Sequence, residues 1–328
     1  MREARDHPGE ALLSQSLRSG KRGTVVCIGG ANIDIKCRIA GPTVMGSSNP
    51  GTTVLAPGGV ARNIAHNLAL LGVDAALISV VGRDAFGAQL LAATAAAGVE
   101  TWGVLPAAGV TGSYSAALDA RGQLILGVAA MAILERLTPR RLAAARARLA
   151  GADLLVADGN LPLATLDWLI GFASERGLRL ALETVSVPKG GRLKRLLAAG
   201  RPLFALFCNQ AEAAALTGRS GLRAAATRLH ERGVRHVGIG LGRRGMFVSD
   251  GTRRRIVAAL PARVFDVTGA GDAAVAGTLY GLLRGHDLAA AARHGQAAAA
   301  LALACEQSVN PALSARTIRA KLGRVSHE

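Results

Sequence analysis

Short apolar runs recur along this chain, and most are followed by a stretch with the spacing of a helix. TVVCIGG (24–30), AALISVVG, DLLVADG, LRLALETV, PLFALFC and HVGIGLG carry little polar alternation, as expected of strands buried on both faces. Between them lie helical segments such as GGVARNIAHNLALLG, stopped at Gly72, and ATLDWLIGFASERG. Few folds accept this alternation, because parallel neighbours need long crossovers and the crossover helices must cover the sheet. The chain is therefore expected to be an α/β protein: a three-layer α/β/α sandwich around a mostly parallel sheet. Two stretches break the pattern, one at about 35–57, containing the turn-rich GPTVMGSSNPGTT, and one at about 99–128, containing the turn candidate DARG. They predict a small β-sheet lid on the main body. Residues 24–328 read as one domain, and the polar residues 1–23, which lack an apolar leader core, read as a disordered tail.

Composition narrows the function classes. Half of the 328 residues are apolar but only 3% are aromatic, so the core must consist of small and aliphatic side chains. The net charge is +17, which raises nucleic acid as a partner. The arginines, however, are scattered through helical segments, with one short run at Arg253–Arg255, and no aromatic residues are interleaved for base stacking. They read as solvated surface charge whose field attracts an anionic nucleotide. No run of 18 apolar residues is present, so no membrane span is expected. Cys27, Cys37, Cys208 and Cys305 lie far apart without CxxC spacing. They suggest neither zinc nor a disulfide framework, and point to a reducing, cytoplasmic setting.

The chemistry is concentrated in DVTGAGDAAVAGTLYGL (266–282). Gly269, Ala270 and Gly271 precede a helix, where unpaired N–H groups and the positive dipole end favour an anion such as phosphate. Asp272 beside that anion makes sense as a base that takes a proton from an attacking hydroxyl while the amides stabilise a transferred phosphoryl group. Taken alone, GAGD also fits close helix–sheet packing, with Asp272 as a helix-start charge. Asn32 and Asp34 in GGANID suit vicinal hydroxyls, and they equally suit a turn after a strand; Asn63 equally suits a helix surface. Gly240, Gly242 and Gly245 spell GxGxxG, but the following GMFVSDG reads as a strand, so a dinucleotide fold is rejected. No GxxxxGK[ST] is present.

PGGVARNIAHNLALLG, VGRDAFG, NQAE, GLGRRG and DVTGAGDAAVAG, in that order, resemble the PfkB family of carbohydrate and nucleoside kinases, with its ribokinase-like fold. The resemblance covers residues 24 to 315. It implies Asp272 as the base and Gly269, Ala270 and Gly271 as the anion hole. Asn209 and Glu212 would position phosphate and Mg²⁺, Glu212 through water. Gly242, Gly245 and Thr268 would bind the nucleotide, ATP. Asn32, Asp34, Gly58, Gly59, Arg62 and Asn63 would hold the sugar, and Asp266 would serve a monovalent cation such as K⁺. A homodimer through the lid sheets is also implied, because a small sheet leaves edges and an apolar face to cover.

SSNPGTTVLAPGGVARN, LERLTP, ALETVSVPK and CEQSVNPALS resemble the pseudouridine-kinase branch of that family. Arg62 stands where ribokinase-like GGKGAN has a small residue. The branch implies phosphorylation of the 5′-hydroxyl of pseudouridine. Glu183 in place of Asp, and Ala130 and Ala132 in place of acidic or amide residues, depart from it and keep another ribosyl substrate, such as ribose or inosine, open. A nonenzymatic sugar- or nucleotide-binding regulator on the same fold is the remaining alternative. Thr111, Ser113 and Tyr114 read either as contacts to the base or as an exposed strand face, and Lys189 as a phosphate contact or surface.

Overall fold

Nine strands form one sheet in the order β13-β12-β11-β10-β9-β8-β1-β4-β5. The computed structural model describes residues 23–325; apart from Gly23, the tail expected over 1–23 lies outside the described residues. The strands are β1 (Thr24–Ile28), β4 (Asp74–Gly82), β5 (Glu100–Ala107), β8 (Leu154–Asp158), β9 (Leu180–Glu183), β10 (Leu203–Asn209), β11 (Val234–Gly240), β12 (Met246–Ser249) and β13 (Arg254–Val257). All pair in parallel except β12 and β13, which close one edge as antiparallel hairpins. The period of two along the strands sorts the core. Val25 and Cys27 of β1 join one apolar cluster, whereas Val26 and Ile28 join the other on the opposite face. Both faces are thus covered, and the expected three layers are present.

The smaller sheet has four strands in the order β3-β2-β6-β7, with β2 (Asn32–Ile39), β3 (Gly51–Gly58), β6 (Ser113–Leu118) and β7 (Leu124–Ala130). The stretch expected as lid over 99–128 is divided by the structure. Its first part, β5, pairs in parallel with β4 and completes the large sheet, and only β6 and β7 belong to the small one. Pro106 explains why ETWGVLPA lacked a clear strand signal: β5 is an edge strand, where a missing N–H is tolerated. Thr111 is buried at 2% exposure, and its hydroxyl bonds Asp84 Oδ1 at 2.6 Å. It is therefore neither a base contact nor an exposed strand face. The scattered arginines also have work: Arg148 lies over Trp102 at 4.3 Å, Arg176 over Phe172 at 5.1 Å and Arg179 over Phe204 at 5.2 Å. Their stems cover apolar surface while the charge stays at the rim.

Helix Ala270–Leu283 and helix Leu288–Leu303 pack through small residues, as their Ala- and Gly-rich sequences require. Gly295 sits so close to the partner helix that an added Cβ would lie 2.2 Å from Thr278 Oγ1 and 2.5 Å from the Ala274 carbonyl. Gly281 is similarly tight, with 2.6 Å to Ala291 Cα. The first of these helices carries Asp272, so this packing sets where its first turn stands. Gly295→Val is expected to destabilise the fold by about 1–3 kcal/mol through overpacking, read as a lowered Tm in thermal unfolding.

Candidate active site

The order of strands around β1 and β8 decides where a site can form. From β1 the chain proceeds outward to β4 and β5, and from β8 outward the other way to β9, β10 and β11. Loops leaving adjacent strands in opposite directions open a crevice at their C-terminal ends. Gly29 and Gly30 follow β1 there, and Asp158 ends β8. Asp158 is fully buried, and its carboxylate accepts from Gly30 N at 2.8 Å, Ala61 N at 3.0 Å and Asn160 N at 2.8 Å. A Cβ on Gly29, which has φ 149, would lie 2.4 Å from that carboxyl carbon. Burial pushes the Asp158 pKa up against the pull of these amides.

Asp272 lies in the first turn of helix Ala270–Leu283 and accepts from Asn63 Nδ2 at 2.8 Å. Removal from bulk water raises its pKa to about 7; Asn63 opposes this, and the carboxylates of Asp158 and Asp34 add to it. A carboxylate tuned to that range is matched to accepting a proton near neutrality. Asp34, at 5% exposure, accepts from Asn32 Nδ2 at 2.7 Å and from Ser308 Oγ at 3.1 Å. Its pKa is also raised by burial. Gly58 and Gly59 pack directly on this group. A Cβ at Gly58 would sit 2.3 Å from the Asp34 carboxylate, and Gly59, at φ 98, would meet the Gly30 carbonyl at 2.5 Å. Arg62, expected at the sugar, is instead buried beneath the site, with Nη1 on Pro57 O and Asn63 Oδ1 at 3.2 Å each.

Gly269 is the N-cap of helix Ala270–Leu283, with φ 79 and no side-chain cap. Only glycine fits, since a Cβ would fall 1.8 Å from the Ser308 carbonyl. Ala270 N turns back to Val267 O at 3.3 Å, so Gly271 and Asp272 contribute the first-turn amides that face the cavity. Thr268 does not line the cavity; its N–H bonds Asp266 Oδ1 at 2.8 Å. The other Asp266 oxygen pairs with the Lys36 ammonium from β2. Burial opposes ionisation of Asp266, but Lys36 and Thr268 outweigh it and hold its pKa below the usual range. With both oxygens so engaged, Asp266 holds a lysine ammonium where the resemblance implied a monovalent cation.

Beside Asp272 opens a cavity of about 750 Å³, a size suited to a nucleotide. Asn209, Glu212, Gly242 and Gly245 line it, as do Leu260, Val264, Val267, Ala299 and Leu303. Gly242 and Gly245 have φ 60 and 95, and an antiparallel strand rather than a helix follows them. Glu212 closes a capping box with Asn209: Glu212 N donates to Asn209 Oδ1 at 2.9 Å and Asn209 N to Glu212 Oε2 at 2.9 Å. Thr184 Oγ1 donates to the same oxygen at 2.6 Å. Val185, with φ 70, sits at the centre of a γ-turn closed by Ser186 N on Thr184 O at 2.8 Å. Positive φ in a β-branched residue is costly, and Glu183 Oε2 supports the turn by accepting from Val185 N at 2.8 Å. Burial, together with Asp272, Glu212 and Asp158, raises the Glu183 pKa well above the carboxylate range. Among the described residues, no cluster of three or more His, Cys, Asp or Glu is arranged to hold a metal ion.

The motifs expected to act together do converge, but in two layers. Asp272, Gly271, Ala270, Asn209, Glu212, Gly242 and Gly245 face the cavity, whereas Asn32, Asp34, Gly58, Gly59 and Asn63 cluster behind Asp272 and toward the small sheet. Sequence reasoning missed Asp158 and the Thr184–Val185–Ser186 turn. A polar Asp ending the fully apolar DLLVAD was the available signal for the first.

Residues 22–315 match the pfkB family of carbohydrate kinases. The chain is 34% identical to the pseudouridine kinase of Escherichia coli (strain K12) over 297 residues, covering 88% of this chain and 93% of that one. It is equally similar, 34% over 298 residues, to a sugar kinase of the same organism named as uncharacterized, YeiI, with 88% and 81% covered. The structure of Arabidopsis thaliana ribokinase complexed with ribose and ATP superimposes with a TM-score of 0.80 at 21% identity, covering 92% of this chain and 98% of that one, so the fold is ribokinase-like. With this match over most of its length and the ordered motifs gathered at one crevice, the chain belongs to the pfkB family of carbohydrate kinases.

Proposed function

We propose that this chain is an ATP-dependent kinase that phosphorylates the 5′-hydroxyl of pseudouridine. The observation that carries the chemistry is Asp272. It stands at the mouth of a nucleotide-sized cavity, with a pKa raised to about 7, in the first turn of a helix whose N-cap glycine offers no side chain to the amides. The likeness to the E. coli pseudouridine kinase and the SNPG and CEQS segments support the substrate.

In this reading Asp272 takes the proton of the attacking hydroxyl as its oxygen bonds the γ-phosphorus and the bond from that phosphorus to the bridging oxygen breaks, releasing ADP. The Gly271 and Asp272 amides, at the positive end of the helix, meet the charge on the phosphoryl oxygens. ATP enters as its magnesium complex, whose metal is held mainly by phosphates, waters and one or two carboxylates. Glu212, which lines the cavity, would meet that metal through water. Asn32 and Asp34 orient the ribosyl hydroxyls, and the small sheet shields the site from water. Ala130 and Ala132 are exposed at the end of β7 and just beyond it. Their lack of polar reach favours a second reading, a kinase of another ribosyl compound.

Three outcomes test this. Asp272→Asn is expected to lower kcat by roughly a hundredfold or more while ATP binding persists; equal turnover by both proteins removes Asp272 as the base. Because the folded pKa is raised, stability is lost as pH rises from the unfolded carboxylate range through about 7. Asp272→Asn should therefore raise Tm at pH 8, by less at pH 5, while wild-type kcat/KM falls below about pH 7. Side-by-side phosphoryl transfer to pseudouridine, uridine, inosine, ribose and fructose 6-phosphate, read by product mass, decides the substrate, with pseudouridine expected first.

A homodimer is also proposed. Leu126 and Val128 share one face of β7 at 62% and 53% exposure, and a second copy of the small sheet would cover them. Leu126→Glu is expected to convert a dimer to a monomer in sedimentation; an unchanged mass would place the contact elsewhere.

A further inference from the structure

We infer that Arg62 is a positioning residue of this site: its guanidinium fixes which way the Asn63 amide faces, and so holds Asp272 as a correctly turned, ionised base. The inference rests on the reading of Asp272 given above and extends it to a residue that touches neither the cavity nor the reacting atoms.

A guanidinium has only donors, and an ionised carboxylate has only acceptors. Asn63 lies between the two. Its Oδ1 accepts from Arg62 Nη1 at 3.2 Å, and its Nδ2 donates to Asp272 Oδ2 at 2.8 Å. Only one amide orientation satisfies both neighbours. Without Arg62 the amide is free to turn, and in the turned state its Oδ1 faces the Asp272 carboxyl, an arrangement acceptable only with that carboxyl protonated.

Arg62 is itself held from two sides. Its Nη1 also donates to Pro57 O, at the base of β3, at 3.2 Å, and its Nε reaches Thr94 Oγ1, on helix Ala85–Ala96, at 3.5 Å. Thr94 completes the chain by donating to Leu90 O at 2.7 Å. The side chain is 3% exposed, so its head group has no water to turn to. Burial lowers the Arg62 pKa to about 10, with Asp34 opposing the shift, and the group stays cationic at neutral pH.

The charged and titratable groups around Asp272 come from several elements. Asp158 ends β8, Asp34 belongs to β2, Glu183 ends β9, and Arg62 lies on the same helix as Asn63. His66, one turn further along that helix, has its pKa lowered to about 4 by burial and by Arg62, so it carries no charge near neutrality. Asp158 and Asp34 favour the protonated form of Asp272. The Asn63 amide opposes them, and it does so only while Arg62 keeps it facing that way.

The test follows the Asp272 carboxyl by ¹³C NMR titration and, in parallel, the pH profile of kcat/KM. The proteins are wild type, Arg62→Met, Arg62→Lys, Asn63→Ala and the two double variants. In Arg62→Met the Asp272 midpoint and the acid limb are expected to move up together by about one pH unit, with kcat falling more than KM rises. Arg62→Lys, still a donor-only cation but without the fork, should give a smaller shift in the same direction. In the Asn63→Ala background the Arg62 substitution should add almost nothing. A titration unchanged in Arg62→Met, or a shift of equal size with and without Asn63, overturns the inference and leaves Arg62 as a packing or through-space charge. If Arg62→Met does not fold, the Arg62→Lys cycle reads the same coupling. Should the wild type phosphorylate no ribosyl compound while the NMR coupling is as described, the functional reading fails and the positioning role stands.

Discussion

The buried carboxylate of Asp158 holds this architecture together at its functional end. Three backbone N–H groups, from the loop after β1, from the start of helix Val60–Leu70 and from its own turn, converge on it. A carboxylate withdrawn from water is costly unless it is hydrogen-bonded, so these segments cannot separate without exposing an uncompensated group. That constraint fixes Gly29 and Gly30 at the end of β1, and with them the start of β2 and of the small sheet. It also fixes the turn that carries Arg62 and Asn63 to Asp272. The root of the small sheet, the Asn32–Asp34 cluster and Asp272 are thereby referred to a single point on the large sheet.

Around this point carboxyl groups are concentrated: Asp34 and Asp158 raise the Asp272 pKa, and Asp272 and Asp158 help raise that of Glu183. Such crowding destabilises a fold, and perturbed carboxyls of this kind gather at functional sites. The compensation is local and specific. Asn32 and Ser308 serve Asp34, Asn63 serves Asp272, and the strained Val185 turn serves Glu183. Lys36 pairs with Asp266 across the gap between the small sheet and the loop before helix Ala270–Leu283. Strand β2 therefore contributes both a polar cluster behind Asp272 and a cation beside the start of that helix.

Much of this was legible in the residues, and the exceptions have physical reasons. The buried strands followed from apolar runs, and the GAGD turn from glycine chemistry at a helix start. β5 was misplaced because an edge strand with a proline loses the continuous apolar signal. Thr111 looked like a sheet-face residue, since nothing local announces that Asp84, twenty-seven positions earlier, takes its hydroxyl. Arg62 looked like a ligand contact because it sits in a motif whose other members face the sugar side. Whether a long side chain on a helix points outward or beneath is set by packing against Pro57 and Thr94, not by its neighbours in sequence.

The sequence by itself determined the α/β alternation, the glycines that only Cβ-free backbone can satisfy, and the helix-start acid at Asp272. Those features are local, encoded within one turn or one strand. Tertiary structure alone decided that Asp34, Asp158 and Asp272 share one crevice, that Glu212 is spent on a capping box and Thr184, and that Asn63 is oriented by a buried arginine. Each of those outcomes joins segments tens to hundreds of residues apart or depends on which face of an element is buried. The pKa of a carboxyl and the direction of an amide are properties of such assembled surroundings, because the field and the hydrogen-bond partners that set them exist only once the chain has folded.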